Sequence, residues 1–204
     1  MALLTINLDV TDKACLVIGG GKIACPKALR LLEAGAAVTV IAPQINAQLP
    51  GATLIHRQAQ LSDLDGKFLA IFSTDDKAVN RQFWEEAQRR GILSMAVDDP
   101  QAADFFSPAI LRRGDLEIAV STRGMGPAYS VRVRDIIAET IDDAYATALS
   151  WYASFRDRLV GMPMKTRIGI SRKVLAGNFA AFFREDRVAD MEERAKTILK
   201  EWPH

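Results

Sequence analysis

The stretch Leu16-Val17-Ile18-Gly19-Gly20-Gly21-Lys22-Ile23-Ala24, or LVIGGGKIA, places three consecutive glycines directly after an apolar run. That run, residues 14–18, has the composition of a buried strand. Apolar residues with helical spacing follow over residues 24–33, and a second apolar run occupies residues 37–42. This order of strand, glycine turn, helix and strand predicts a βαβ unit with parallel strands and a right-handed crossover.

The glycines match the pattern G-x-G-x-x-G/A of dinucleotide-binding loops. Gly19 is expected to permit the tight turn, the next glycines to let backbone N–H groups approach a pyrophosphate, and Ala24 to allow close helix–strand packing. The following helix adds partial positive charge at its N-terminus. A glycine-rich connection without a ligand is the alternative. We predict a cofactor loop formed by Gly19, Gly20, Gly21, Lys22, Ile23 and Ala24.

Strands and helices continue to alternate up to residue 97, which predicts a Rossmann-like, doubly wound parallel sheet. The predicted strands are residues 53–56, 67–73 and 92–97, and the predicted helix is 76–90. After Pro100 the pattern changes. Two strands at 105–111 and 116–122 flank a short turn, and the chain beyond Gly126-Pro127 is helical, with interruptions near residues 161–163 and 177–178.

Composition excludes several classes of protein. The 204 residues are 49% hydrophobic and carry a net charge of +1. The overall charge of the chain therefore does not favour binding to nucleic acid or to an anionic membrane surface. No apolar run approaches the ~20 residues of a membrane span, and the start of the chain lacks the pattern of a signal peptide. The two cysteines are too few for a disulfide framework. We therefore expect a soluble, cytoplasmic protein.

The identity of the nucleotide is left open by the second strand. An acidic residue about twenty residues beyond the glycines would bind the ribose of NAD, but Ala42-Pro43-Gln44 occupies that place. Lys22 and Arg57 are candidates for binding the additional phosphate of NADP. Either side chain is equally well explained as a solvated surface charge.

Four separated segments together resemble the precorrin-2 dehydrogenase family of sirohaem synthesis, which includes the N-terminal module of bifunctional sirohaem synthases. The segments are VIGGGKIACPKALRLLEAGAAVTVIAP, FSTDDKAVN, AVDDP and ADFFSPAILRRGDLEIAVSTRGMGP, in this order. The resemblance covers about residues 3 to 150. It implies NAD-dependent oxidation of precorrin-2 to sirohydrochlorin, with insertion of ferrous iron in some members, and a homodimer. The expected domains are an NAD-binding domain (1–111), a dimerisation region (112–150) and a helical C-terminal module (151–204).

The resemblance also suggests site residues. It implies that Thr74 and Asp75 border the cofactor, and we predict Ala42 and Pro43 as further cofactor-binding residues. The alternative is that Thr74 or Asp75 caps the helix that follows. Guanidinium groups suit the many carboxylates of a tetrapyrrole, and the arginines of the dimerisation region supply them, although about half of these are expected to be merely solvated. The predicted substrate-binding residues are Arg112, Arg113, Arg123 and Gly126. The chain departs from the usual family pattern at Pro26, Met95 and Gly126.

Asp98 is the predicted catalytic residue. It follows the apolar strand that ends at Val97, so it lies at the carboxyl edge of the sheet, where open α/β sheets bind ligands. Partial burial and the like charge of Asp99 are expected to raise the pKa of Asp98 toward the range of a general base. A simple turn at Asp98-Asp99-Pro100 is the alternative.

No metal site is predicted, because the only histidines, His56 and His204, lie outside the matched motifs. Three functions therefore remain open at the level of sequence. The first is a precorrin-2 dehydrogenase, with or without ferrochelatase activity. The second is a non-catalytic protein that binds a nucleotide or a tetrapyrrole. The third is a protein that acts as a chelatase alone.

Overall fold

A computed structural model describes residues 3–202 and divides into two compact units, with the boundary between Ser107 and Pro108. The first unit contains a five-stranded parallel sheet in the order β3-β2-β1-β4-β5. Its strands are β1 (Ala14–Ile18), β2 (Ala37–Ile41), β3 (Thr53–Ile55), β4 (Leu69–Phe72) and β5 (Leu93–Ala96), and its helices are α1 (Ala24–Glu33) and α2 (Lys77–Arg89). The Rossmann-like fold class is confirmed.

The central strand β1 explains why the sheet is covered on both faces. Successive side chains of a strand point to opposite faces. Cys15 and Val17 accordingly pack in the cluster that includes residues of α1, whereas Leu16 and Ile18 pack in the cluster that includes residues of α2. All four are buried. A strand with two apolar faces is typical of a parallel sheet between two layers of helices.

The second unit begins with an antiparallel hairpin and continues as helices. The hairpin consists of β6 (Ala109–Arg113) and β7 (Leu116–Val120). The helices are α3 (Pro127–Thr140), α4 (Ala144–Asp157), α5 (Met164–Val174), α6 (Ala180–Arg184) and α7 (Val188–Glu201). Helices α4, α5 and α7 share a buried core formed by Phe155, Leu159, Ile170, Val174, Met191 and Ala195. The helical pattern and both of its predicted interruptions agree with these bounds.

The strand expected at residues 105–111 begins later, at Ala109. The preceding segment instead runs beside β5: the N–H of Ala96 donates to the carbonyl of Ala102 at 2.8 Å, and that of Asp104 donates to Ser94 at 2.9 Å. Pro108 has no N–H to donate. The boundary between units therefore falls four residues before the expected one at 111/112, because β6 pairs with β7. The separation of residues 112–150 from 151–204 stays a prediction.

Within residues 3–202, no helix combines the length and apolar character needed to cross a membrane. Both cysteines are free thiols, and both are buried in the first unit.

Candidate functional site

The three glycines after β1 have different structural requirements. Gly19 has φ +125°, and a Cβ there would lie 2.3 Å from the carbonyl oxygen of Ser73. A Cβ on Gly20 would lie 2.0 Å from the carbonyl oxygen of Gln44. A Cβ on Gly21 would meet nothing within 4 Å. The first two positions therefore need glycine for the fold itself, whereas the space beside the third is available to a ligand.

The loop also presents hydrogen-bond donors. The N–H of Gly19 is used by the carbonyl of Ile41 at 3.0 Å, but those of Gly20, Gly21 and Lys22 donate to no main-chain carbonyl among the described residues. Helix α1 begins directly after the loop, without a side-chain cap and without an acidic residue in its first turn. Free N–H groups at a helix N-terminus attract anions. The loop is suited to a phosphate or pyrophosphate group.

Gly20 and Gly21 border a cleft of about 630 Å³ at the carboxyl edge of the sheet. The chain runs from β1 outward to β2 and β3, and then returns to β4 on the other side of β1. The cleft lies at this reversal, which is where open α/β sheets bind ligands. Its volume is in the range of roughly 300–1,000 Å³ that is typical of ligand sites. It is lined by residues 18–21, 41–44, 46, 58, 59, 73–76, 79, 82 and 83.

Most of the predicted cofactor residues line this cleft. They are Gly19, Gly20, Gly21, Ala42, Pro43, Thr74 and Asp75. Three others do not line it. Ala24 is buried beneath the loop, its Cβ 3.3 Å from the Cβ position of Gly19, while Lys22 and Ile23 are exposed to solvent. The structure does not test whether these residues bind a cofactor, so their assignment stays a prediction.

Asp76, rather than Thr74 or Asp75, caps helix α2. Its carboxylate accepts hydrogen bonds from the N–H groups of Ala78 at 2.8 Å and Val79 at 3.2 Å. A cap of this kind satisfies N–H groups that have no partner within the helix. The side chain of Asp75 is therefore not needed for capping, and it lies exposed at the cleft.

Asn80 links the ends of two neighbouring strands. Its side-chain oxygen accepts from the N–H of Thr74 at 3.0 Å and from the Thr74 hydroxyl at 2.8 Å. Its amide nitrogen donates to the carbonyl of Thr74 at 3.0 Å and to Oδ1 of Asp98 at 3.1 Å. Asn80 is 1% exposed. The sequence indicated no role for this residue, although its place one helical turn after the strand end was a usable signal.

Asp98 lies at the carboxyl edge, as predicted, but it is exposed. The expected partial burial is therefore wrong: Asp98 lies in the turn that follows β5, and its side chain is open to solvent. Asp99 is drawn away by other partners: its carboxylate lies 3.0 Å from Arg81 and accepts the N–H of Gln101 at 2.9 Å. That backbone hydrogen bond, followed by the ion pair with Arg81, lowers the pKa of Asp99. Asp98 is instead oriented by Asn80.

Polar side chains that the sequence analysis did not assign also line the cleft, namely Gln44, Asn46, Gln58 and Gln82. The first three follow the ends of β2 and β3, which was a usable signal. Arg57, a candidate for binding a phosphate, is engaged elsewhere: its guanidinium forms two hydrogen bonds with Asp63, at 2.6 and 2.8 Å. Neither Arg57 nor Lys22 lines the cleft.

The predicted substrate-binding residues all lie in the second unit. Arg112 pairs with Glu117 at 2.8 Å, and Arg113 donates to the carbonyl of Ile141 at 3.0 Å. The side chain of Arg123 is exposed and forms no ion pair with a described residue. Gly126 precedes the first turn of α3, and its N–H donates to the hydroxyl of Thr122 at 3.1 Å. Their binding of substrate stays a prediction.

Side chains that bind metals do not gather among the described residues. Within residues 3–202, no group of three or more His, Cys, Asp and Glu side chains is arranged to hold a metal ion. His204, one of the two histidines considered in the sequence analysis, lies outside the described residues.

Two family models match different parts of the chain. A family model described as "Putative NAD(P)-binding" matches residues 6–109, and one described as "Sirohaem biosynthesis protein central" matches residues 113–140. The siroheme synthase of Methylobacillus flagellatus is 32% identical over 98% of this chain and 44% of its own length, and that of Chromobacterium violaceum is 36% identical over 97% and 44%. The chain therefore spans less than half the length of these relatives. A solved structure, "SirC, precorrin-2 dehydrogenase", has the same fold, with a TM-score of 0.80 at 22% identity over 97% of this chain and 100% of that one.

Proposed function

Because this chain belongs to the putative NAD(P)-binding family, we propose that it is an NAD-dependent dehydrogenase that oxidises precorrin-2 to sirohydrochlorin. Two relatives named siroheme synthase and a fold neighbour named precorrin-2 dehydrogenase support this choice of substrate. Sirohydrochlorin is the product required for sirohaem, so the protein acts in sirohaem biosynthesis.

One observation in the first unit carries the proposal. The cleft is bordered by the unpaired N–H groups of Gly20 and Gly21, and its wall residue Thr74 is linked through the buried Asn80 to the carboxylate of Asp98, which does not itself line the cleft. A dehydrogenase needs both features, because the cofactor must be anchored by its phosphates and a proton must leave the substrate when the hydride does.

The chemistry balances with the groups that this site supplies. Precorrin-2 loses two hydrogens, one as a hydride and one as a proton. Bound NAD supplies the hydride acceptor. The carboxylate of Asp98 accepts or steers the proton, and its exposed position allows the proton to pass on to water. Asn80 fixes the orientation of that carboxylate by donating to its Oδ1.

The lining of the cleft favours NAD over NADP. The residues around the end of β2 include Gln44 and Asn46, and the lining residues include no lysine or arginine. Arg57 is bound to Asp63 by two hydrogen bonds. The additional phosphate of NADP would therefore enter this cleft without a cation to neutralise it, whereas amide side chains suit the hydroxyl groups of an NAD ribose.

We assign the binding of the substrate's carboxylates to arginines of the second unit. Arg112, Arg113 and Arg123 carry the guanidinium groups that match carboxylates in geometry and charge. The first two already have protein partners, so binding through them exchanges one acceptor for another. The side chain of Arg123 has no such partner among residues 3–202. We therefore expect the substitution of Arg123 to lower the affinity for the substrate more than the substitution of Arg112 or Arg113.

The protein forms a homodimer in this proposal. Helix α3 has fourteen residues, of which only Ser130 is buried, while Tyr129 is 70% exposed and Ile136 is 48% exposed. Within the described chain, β6 pairs only with β7, so each strand of the hairpin has one unpaired edge. Exposed apolar helices and open strand edges are typical of surfaces that another chain covers. A second copy of this chain is the partner we infer.

The two buried free thiols fit a reducing compartment, and we therefore place the protein in the cytoplasm. This placement also agrees with the use of NAD.

Anaerobic incubation with precorrin-2 tests the function. We expect the absorption spectrum of sirohydrochlorin to appear when NAD is added, with stoichiometric formation of NADH, and to appear much more slowly with NADP. Binding of NAD without turnover would contradict the dehydrogenase proposal and favour a binding protein. The absence of NAD binding would contradict the assignment of the cleft.

A further inference from the structure

The helical part of the second unit contains a cleft that the dehydrogenase proposal does not use. It has a volume of about 580 Å³ and is lined by residues of α4 and α5 together with flanking positions. Three of the lining residues are arginines, Arg156, Arg167 and Arg172, and none of the lining residues is acidic. The volume is that of a typical small-molecule site.

The arginines of this cleft differ from others in the same unit. Arg158, Arg184 and Arg187 each form an ion pair with an aspartate or glutamate at 2.6 to 2.7 Å. The guanidinium groups of Arg156, Arg167 and Arg172 form no hydrogen bond or ion pair with any residue between 3 and 202. A guanidinium group keeps its charge at every physiological pH. Three uncompensated cations around one cavity repel each other, so an anionic ligand would stabilise the arrangement.

The remaining walls of the cleft are apolar. Met164 and Ile168 lie on the same face of α5, four residues apart, and they are 76% and 48% exposed. Leu159 forms a buried part of the wall. The hydroxyl of Ser171 adds a polar group that has no hydrogen-bond partner among the described residues. A simple inorganic anion would leave the apolar walls in contact with water.

We propose that this cleft binds an organic polycarboxylate with an extended apolar body. Two or more carboxylates would bind the guanidinium groups in bidentate fashion, and the apolar body would cover Met164 and Ile168. The site is independent of the nucleotide cleft in the first unit. It would hold a carboxylated tetrapyrrole or another amphiphilic polyacid, and it does not require that the protein oxidise its ligand.

Fluorescence titration of the full chain with uroporphyrin, an apolar macrocycle with eight carboxylates, tests the site in the absence of NAD. We expect saturable binding that Arg172→Glu weakens at least about tenfold, because a charged hydrogen bond is replaced by repulsion. Lys165→Glu is the matched control: it reverses a charge on the same helix, but Lys165 does not line the cleft. This control should change the affinity by less than about twofold, since surface charges act weakly.

The outcomes separate this inference from the dehydrogenase proposal. Equal weakening by Arg172→Glu and Lys165→Glu would mean that net charge alone attracts the porphyrin, and it would overturn the site. Absence of saturable binding would overturn it as well. Citrate, which has three carboxylates and no apolar body, should displace uroporphyrin only at much higher concentration. Pyrophosphate is compared with citrate at the same concentration. If pyrophosphate displaced uroporphyrin at a concentration at which citrate did not, the assignment of the site to carboxylates would be contradicted. NAD binding, measured in the same variants, should be unchanged.

Discussion

Asn80 is the residue that connects the chemistry of the cleft to the fold. Its side chain is 1% exposed, and its four hydrogen bonds join Thr74, after β4, to Asp98, after β5. A buried amide of this kind can hardly be replaced, because each lost bond leaves a polar group without a partner. The orientation of Asp98 therefore depends on a residue eighteen positions earlier in the chain.

Asn80→Asp replaces the donating nitrogen by an oxygen that faces the carbonyl of Thr74 and the carboxylate of Asp98. We expect the free energy of unfolding to fall by about 1–3 kcal/mol at pH 7. The loss should shrink at pH 5, because protonation of the introduced carboxyl restores a donor. Urea denaturation at both pH values measures this, with the exposed position Asn178→Asp as the control. An equal loss at both pH values would contradict the assigned hydrogen bonds.

Gly21 separates binding from folding. We expect Gly21→Asp to keep the fold, since a Cβ there meets nothing within 4 Å, and to abolish NAD binding through its charge and bulk. Gly20→Ala should instead destabilise the protein, because its Cβ would lie 2.0 Å from the carbonyl oxygen of Gln44. Calorimetric titration with NAD and thermal unfolding compare the two. Unchanged NAD affinity in folded Gly21→Asp would mean that the loop has only a structural role.

At the scale of residues, the predictions from sequence were correct where the backbone conformation requires one residue type. They were wrong where the direction of a side chain determines its burial and its partners. The glycine pattern located the loop because the backbone around Gly19 and Gly20 leaves no room for a Cβ. The predicted burial of Asp98 was wrong because the end of a strand determines where the residue lies in the chain, but not the direction in which the following turn points its side chain. The pairing of Asp99 with Arg81, also eighteen residues apart, was invisible for the same reason.

The segment that follows the edge strand β3 is stabilised by hydrogen bonds within itself. It includes a short 3₁₀ helix, Leu61–Leu64. The carboxylate of Asp63 caps the start of this helix by accepting a hydrogen bond from the N–H of Gln60 at 2.7 Å. The same carboxylate binds Arg57. The hydrogen bond to Arg57, which is the largest influence, lowers the pKa of Asp63 below its ordinary value of 3.8.

This lowered pKa makes the element sensitive to acid. A carboxyl whose pKa is lower in the folded state stabilises the protein at pH values above its unfolded pKa, and this contribution is lost as the pH falls through the folded pKa. We therefore expect Asp63→Asn to reduce the free energy of unfolding at pH 7 and to have a smaller effect at pH 3. Urea denaturation at the two values checks this. A larger effect at pH 3 would contradict the ion pair.

Elements were predicted best where a strong periodicity met a clear stop signal. Helix α1 agrees with its predicted bounds, because Ala34-Gly35 ends it and the glycine loop begins it. The strand β6 was placed too early because the apolar residues Phe105 and Phe106 favoured a strand, although Pro108 has no N–H to donate. Only the three-dimensional pairing of residues 102–104 with β5 shows that the first part belongs to the first unit.

At the scale of the molecule, the two units divide the work that the proposed function requires. The first unit carries the nucleotide cleft and Asp98, and the second carries the arginines and the exposed face of α3. Fold class followed from the alternation of strands and helices, because that order permits few topologies. The choice of substrate did not follow from it, and came from four linked motifs and from relatives.

The exposed face of α3 gives the prediction for assembly. We expect light scattering at micromolar concentration to give the mass of a dimer, and Ile136→Glu to give a monomer, because a charge would be buried in the interface. Glu193→Lys, at an exposed position of α7, is the control and should leave the dimer intact. A monomeric wild-type protein would exclude an active site that is shared between two copies.

The rate of precorrin-2 oxidation by Asp98→Asn tests the assigned chemistry most directly. This substitution keeps the size of the side chain and removes its basicity, and a positioned base typically contributes about a hundredfold to ten-thousandfold in rate. We predict turnover at least roughly two orders of magnitude below wild type, with NAD affinity and dimerisation unchanged. Asp99→Asn, whose carboxylate is already committed to Arg81, should have a much smaller effect. Turnover of Asp98→Asn at the wild-type rate would contradict the assignment and reduce Asp98 to a turn residue.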